Sequence, residues 1–386
     1  MDAYADTEYG YDESTFSKPA TITSYDADAD HDYRAANGAY LSLYNTSTSA
    51  HPGADSTVVK GKLLFADTAF KDITLSAADT TGGWAIGYVY CQGHSLTMDT
   101  GVRMEGYRQT SAAINSYGLL AGTNTQDFNI VGGYANYDEP VGTGYDQSRG
   151  TCEIVVRSGS YGRIIAGGRN FGSATNGNSS VNRDSHNQFG TEDEPFNVAV
   201  TVDIAESQSQ IAADGKLTCD IGQLCGGQTD GTIYCNAVIN LKDGVVPLVL
   251  GSSIGYPRSV NGGDTAYPNN DFVGSVQVNM AGGSVAQLYG GCLGRYTGNA
   301  DLSVDSRFRS SSKTPEGRPD IEINVSGGTI GPLESLGKNN AKNMLTGLFA
   351  AGAGGVTGAG DPEAGTVSNA VDVQVNISGG TIEGRL

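Results

Sequence analysis

Tryptophan occurs once, at Trp84, and only 17% of the residues are charged. That scarcity works against a helical or α/β enzyme body, whose solvent faces draw on Lys, Glu and Arg. Basic residues are outnumbered 23 to 42, for a formal charge of −19. Nucleic acid and anionic lipid need a basic surface, so neither is an expected partner, whereas divalent cations are compatible with this balance. The six cysteines, Cys91, Cys152, Cys219, Cys225, Cys235 and Cys292, are too sparse for a disulfide scaffold in 386 residues. Settings such as KLTCDIGQLCGG predict buried packing thiols, with a Cys219–Cys235 pair left open. No apolar run approaches the ~20 residues of a membrane span. The opening MDAYADTEYGYDES lacks the basic-then-apolar order of a signal peptide, which predicts a mature segment. VNISGGTIEGRL stops partway through a repeat, so the natural protein is expected to continue.

What the chain does have is glycine, 56 residues of it, arranged in a recurring phrase. An alternating apolar strand leads into a Ser/Ala-Gly-Gly turn, then a second short strand and a further glycine turn. It reads as VQVNMAGGSVAQLYGG (276–291), IEINVSGGTIGPL (321–333) and VDVQVNISGGTI (371–382). Looser copies are CEIVVRSGSYGRIIAGG (152–168), CDIGQLCGG (219–227) and INLKDGVVPLVLGS (239–252), with an echo in SYGLLAG (116–122). Val276, Val278 and Met280 alternate with Gln277 and Asn279, the period of a strand with one buried face.

From Gly168 to Gly227, Gly251 and Gly291 the steps are 59, 24 and 40 residues. The shortest step fits one coil of a parallel β-helix with three short strands, and the longer ones fit a coil plus an insertion. A propeller or leucine-rich horseshoe would hold a steadier period. The insertions, at 169–195, 252–271, 295–320 and 352–369, are polar and glycine-rich and are expected on the surface. Residues 1–60 are aromatic and acidic and lack the phrase. They are expected to cap the first coil, since an open end is an exposed strand edge. The coils would then occupy 61–386, opening with two strands around Leu63, Phe65, Ile73 and Leu75.

The VNISGGTI and SVAQLYGGCLG phrases, with KLLFADTAFKDITL and HSLTMDTGVRMEGY ahead of them, resemble the glycine-rich repeats of adhesin-like surface proteins of gut bacteria. The resemblance covers roughly residues 60–386. It implies a right-handed parallel β-helix, a place outside the cell or on its surface, and binding of glycans or host surface molecules. It supplies no catalytic motif.

Candidate chemistry is sparse. Polysaccharide lyases that use such a fold need clustered acids on one face, and a glycosidase needs two carboxylates at a fixed separation. The strand acids Glu153, Asp220, Glu322 and Asp372 alternate with apolar residues and read as outward, solubilising positions. His31, His51, His94 and His186 are scattered and none has metal spacing. DADADHD places Asp26, Asp28, Asp30 and Asp32 at alternate positions, a pattern that could hold calcium, although His31 stands where an EF-type loop needs Gly. Aromatic faces stack on sugar rings, which singles out Tyr134, Tyr137 and Tyr145 in one insertion and Tyr256 and Tyr267 in another as candidate glycan-binding residues. The expectation is a non-catalytic, monomeric adhesin-like β-helix for surface display or binding. The alternatives are a polysaccharide lyase-like enzyme and a structural spacer.

Overall fold

The structure is a computed structural model. It describes residues 61–64, 67–76, 88–91, 93–105, 128–133, 151–168, 190–209, 219–227, 232–253, 270–293, 306–311, 314, 317–333, 346–352 and 371–386, with short strands at 4–5, 20–23, 40–42, 112–114, 120–123, 356–357, 359–361 and 366–369. The protein is all-β, with one three-residue 3₁₀ turn among the described residues, at Glu206–Gln208. Two eleven-stranded sheets carry the fold.

The chain passes from one sheet to the other and back, laying each strand beside the one placed a pass earlier. In the first sheet the order is Tyr88–Tyr90, Asn129–Val131, Tyr161–Ile165, Ile221–Cys225, Val245–Leu250 and Ser284–Tyr289, all paired in parallel. In the second it is Leu96–Met98, Thr151–Val156, Phe196–Asp203, Thr232–Asp243, Asn270–Met280, Ile321–Val325 and Val373–Ile377, also parallel. Strands alternating between two parallel sheets in this way are compatible with a parallel β-helix. Among the described residues no helix is long and apolar enough to cross a membrane.

Period-two alternation produces the core between the sheets. Val198, Val200 and Val202 point inward, and the register stacks Ala237, Ile239 and Leu241 on them, then Val276, Val278 and Met280, then Ile321, Ile323 and Val325. All twelve side chains are buried. Stacking at ~4.8 Å per strand brings like side chains into contact through the molecule, and Phe272 and Phe308 show it, with ring centroids 5.3 Å apart and planes 16° from parallel.

The glycine turns stack as the phrase predicts. The register that aligns Ile165, Cys225, Leu250, Tyr289 and Phe349 places Ala166, Gly226, Gly251, Gly290 and Ala350 after them in one column of small residues. The unequal steps are therefore unequal connections between strands that still align. Four of the long ones, 132–150, 166–195, 251–269 and 290–305, run from the first sheet to the second, while 204–220 runs back from the second to the first. Return connections can be as short as Gly244 alone.

Several expectations are corrected. Among the described residues the third sheet is formed by Tyr40–Ser42, Thr74–Ser76 and Arg103–Glu105, all in the early part of the chain. Later strands are longer, Thr232–Asp243 and Asn270–Met280 running 12 and 11 residues, and Asn270–Met280 pairs with two strands of the next pass, Ser306–Arg309 and Ile321–Val325. Residues 61–76 hold three strands instead of two, Gly61–Leu64, Thr68–Lys71 and Thr74–Ser76. The last corner falls at Asp72, whose φ is +48°, in the region Asp tolerates better than most residues.

SYGLLAG does not join the stack, since Leu120–Thr123 pairs with Ala112–Ile114 in a separate antiparallel hairpin. The polar stretch 295–320 supplies a strand, Ser306–Arg309, on the second sheet. A single inward residue, the buried Phe308, marks it. In 352–369, likewise, Val356–Thr357 pairs with that strand and Ala359–Asp361 forms a hairpin with Thr366–Asn369. Within residues 1–60, Ala20–Thr23 and Tyr40–Ser42 add parallel strands to the second and third sheets, and Tyr4–Ala5 adds an antiparallel strand to the first.

Candidate binding face

The residues between the buried positions of the second sheet face outward, and the register that aligns the core also aligns them. Thr201, Asn240, Asn279, Asn324 and Asn376 form one row. Each amide donates to the oxygen of the strand before it: Asn240 Nδ2 to Thr201 Oγ1 at 3.4 Å, Asn279 to Asn240 Oδ1 at 2.9 Å, Asn324 to Asn279 at 2.9 Å and Asn376 to Asn324 at 2.8 Å. Four residues back along the strands a second row repeats the pattern. There Asn236 donates to Asn197 at 3.0 Å and Ser275 Oγ to Asn236 Oδ1 at 2.8 Å.

Between the rows lie Ala199, Val238, Gln277, Glu322 and Gln374, with Gln277 Nε2 donating to Glu322 Oε2 at 2.8 Å. A primary amide has two N–H groups and two oxygen lone pairs. Asn240, Asn279 and Asn324 each spend one of either kind on the row, leaving one of each not used by it. The face is thus a lattice of fixed donors and acceptors, ~4.8 Å apart from strand to strand.

On this sheet Asp203 and Asp243 are register partners on neighbouring strands; the other strand acids stand apart. Glu322 has Gln277 and Gln374 as its cross-strand neighbours. Glu153 stands in the same row four strands away, about 19 Å at the usual strand spacing. That is far beyond the ~5–10 Å at which two carboxyls share a glycosidic bond.

Of the four strand acids expected to face outward, Asp220 does not. It is buried at 1% exposure, immediately before the strand Ile221–Cys225. There Oδ2 accepts the Val245 N–H at 2.8 Å and its carbonyl accepts the Tyr161 N–H at 2.8 Å. It closes a corner between passes, which alternation along a strand does not reveal. Burial, the largest influence, lifts its carboxyl above the usual range, and nearby Asp243 adds to the rise. Burial and the Asp220 charge likewise push the Tyr161 phenol well up. Its hydroxyl donates to Ser158 O at 2.7 Å.

All six cysteines are buried and free. His94 is partly buried, with Nδ1 3.9 Å from Asp67 Oδ1. Among the described residues no group of three His, Cys, Asp or Glu side chains could hold a metal ion. Asp26, Asp28, Asp30 and Asp32 lie outside the described residues, as do Tyr134, Tyr137, Tyr145, Tyr256 and Tyr267. The connections that contain these tyrosines join Asn129–Val131 to Thr151–Val156 and Val245–Leu250 to Asn270–Met280. Both therefore enter the second sheet at the side where the Asn197–Asn236–Ser275 row begins.

Sequence reasoning missed the amide rows, although a signal was present. In VQVNMAGG, IEINVSGG and VQVNISGG an asparagine stands three residues before the first glycine, at Asn279, Asn324 and Asn376. The chain matches no family model, no curated protein and no solved structure.

Proposed function

We propose that this chain is a right-handed parallel β-helix of an extracellular, adhesin-like bacterial protein, and that it binds glycan without cleaving it. The observation that carries the reading is the in-register amide lattice on the second sheet. An extended glycan is itself a repeating array of hydroxyl donors and acceptors, so it can be met strand after strand by fixed groups that need no reordering. The tyrosine-bearing connections enter beside that lattice, where aromatic rings would add stacking contacts along one margin. Binding without cleavage rests on the resemblance to adhesin-like proteins, which supplies no catalytic motif. Calcium held by Asp26, Asp28, Asp30 and Asp32 belongs to the same proposal as an accessory cation.

The test is a glycan array probed with the purified chain, with and without a calcium chelator, beside reducing-end and unsaturated-product assays on the same polysaccharides. Saturable binding with no new product is the expected result, and its loss with chelator would bring in the aspartate segment. Product formation, or no binding to any glycan, would overturn the reading.

A further inference from the structure

Where the first sheet hands over to the second, two thiols from successive passes meet. Cys91 follows the strand Tyr88–Tyr90 and starts a tight turn, with the His94 N–H donating to Cys91 O at 2.8 Å and Gly93 at a φ of +80°. The next pass lies directly against this turn, since the Cys91 N–H donates to Val131 O at 2.7 Å and the Gly93 N–H to Gly132 O at 2.9 Å. The pairing of Tyr90 with Val131 sets Gly132 beside Cys91, so no side chain from that strand covers the thiol.

Cys152 comes in from the second sheet of that next pass. Its Sγ donates to His94 O at 3.1 Å, and the Cys91 thiol is hydrogen-bonded to it. Both residues are fully buried. Cys225 and Cys292 are arranged differently around Ser252, whose carbonyl accepts from Cys225 Sγ at 2.9 Å and whose hydroxyl donates to Cys292 Sγ at 3.1 Å.

We propose that Cys91 and Cys152 close a disulfide when the chain folds in an oxidising environment, cross-linking two successive passes at this corner. Two S–H bonds break and one S–S bond forms. The two electrons and two protons pass to a small-molecule disulfide such as oxidised glutathione, which leaves as two thiols. The bond closes during folding, before the stacked passes shut out the oxidant. In the finished fold a reduced pair is inert, because burial, and then the neighbouring thiol, hold Cys91 well above the ordinary thiol range. The inference stands apart from glycan binding and needs only an oxidising compartment.

The two cysteines fall in separate tryptic peptides, Asp72–Arg103 and Gly150–Arg157, each with a single cysteine. The full chain is synthesised cell-free under a glutathione redox buffer or under dithiothreitol, denatured with iodoacetamide present, digested and read by mass spectrometry. The expected product of the redox buffer is those two peptides joined, with the other four cysteines alkylated. The urea midpoint is expected to exceed that of the dithiothreitol product, and the Cys91→Ser/Cys152→Ser double variant should remove this difference while keeping a β-type circular dichroism spectrum. Recovery of both peptides singly alkylated from a redox-buffer product with that same spectrum would overturn the proposal, as would a dominant link to any other cysteine.

Discussion

At Asp220 a carboxylate is closed off from water at a corner and compensated by the Val245 N–H. Its pKa is raised by folding, so the native state binds the proton more tightly than the unfolded chain does. The stability linked to this group is therefore complete below the ordinary carboxylate pKa and is lost as pH rises through the raised one. Asn in its place keeps an acceptor for Val245 and carries no charge. Urea midpoints of Asp220→Asn and wild type, measured from acid to neutral pH, should diverge with rising pH, the wild type falling behind. Parallel curves would contradict this. The buried place of Asp220 was illegible in the sequence because alternation along one strand says nothing of what the next pass brings to a corner. The inward set at Val276, Val278 and Met280 was legible, since period two decides which side of a strand is buried.

At the level of the strand and turn, the column that follows the first-sheet strands holds only glycine or alanine at 166, 226, 251, 290 and 350, and it is tight at Gly251. A Cβ on Gly251 would lie 2.2 Å from the Gly290 carbonyl oxygen and 2.6 Å from Val276 Cγ1. Gly317 also needs its glycine, with a φ of +78°, yet nothing lies within 4 Å of the corresponding point. Gly317→Ala is expected to cost about 1–2 kcal/mol, the ordinary penalty of a left-handed residue. Gly251→Ala is expected to cost about 3 kcal/mol or more, since backbone has to move, and equal losses in urea unfolding would count against the stacked register.

The strand Val373–Ile377 offers a second check. Asp372 O accepts from Ile321 and the Ser378 N–H donates to Val325 O at either end of its pairing. In a parallel ladder this alternation turns the N–H groups of Val373, Val375 and Ile377 away from the partner. Hydrogen exchange should find these three amides fast and those of Gln374, Asn376 and Ser378 slow, whereas uniform protection would mean another strand covers that edge. The turns were legible where Gly-Gly follows the alternating strand, at 282–283, 327–328 and 379–380. The strand at Ser306–Arg309 was not, because one inward residue, Phe308, gives alternation nothing to repeat.

Across the whole molecule, the same register that stacks the valines and isoleucines inside stacks asparagine, serine and threonine outside. A stable core and a repeating polar face are thus two results of one pattern, and lengthening a connection disturbs neither. The parallel stacking could be read from the phrase, whereas the number of strands per pass could not, since three were expected and two large sheets carry the fold. The candidate face could not be read while strands were taken one at a time, since the rows exist only across strands, between residues such as Asn240 and Asn279 that are 39 positions apart. The tyrosines at 134, 137, 145, 256 and 267 were chosen for their chemistry and lie outside the described residues.

The measurement that tests this account most directly is the affinity of the best array glycan for wild type and for Asn279→Ala/Asn324→Ala, taken where circular dichroism shows both folded. Each substitution breaks hydrogen bonds in the row and is expected to cost about 1 kcal/mol of stability. If the second sheet is the binding face, the double variant should bind at least about tenfold more weakly, equivalent to ~1.4 kcal/mol, with its fold retained. Unchanged affinity in the folded double variant would place the glycan elsewhere and contradict the account.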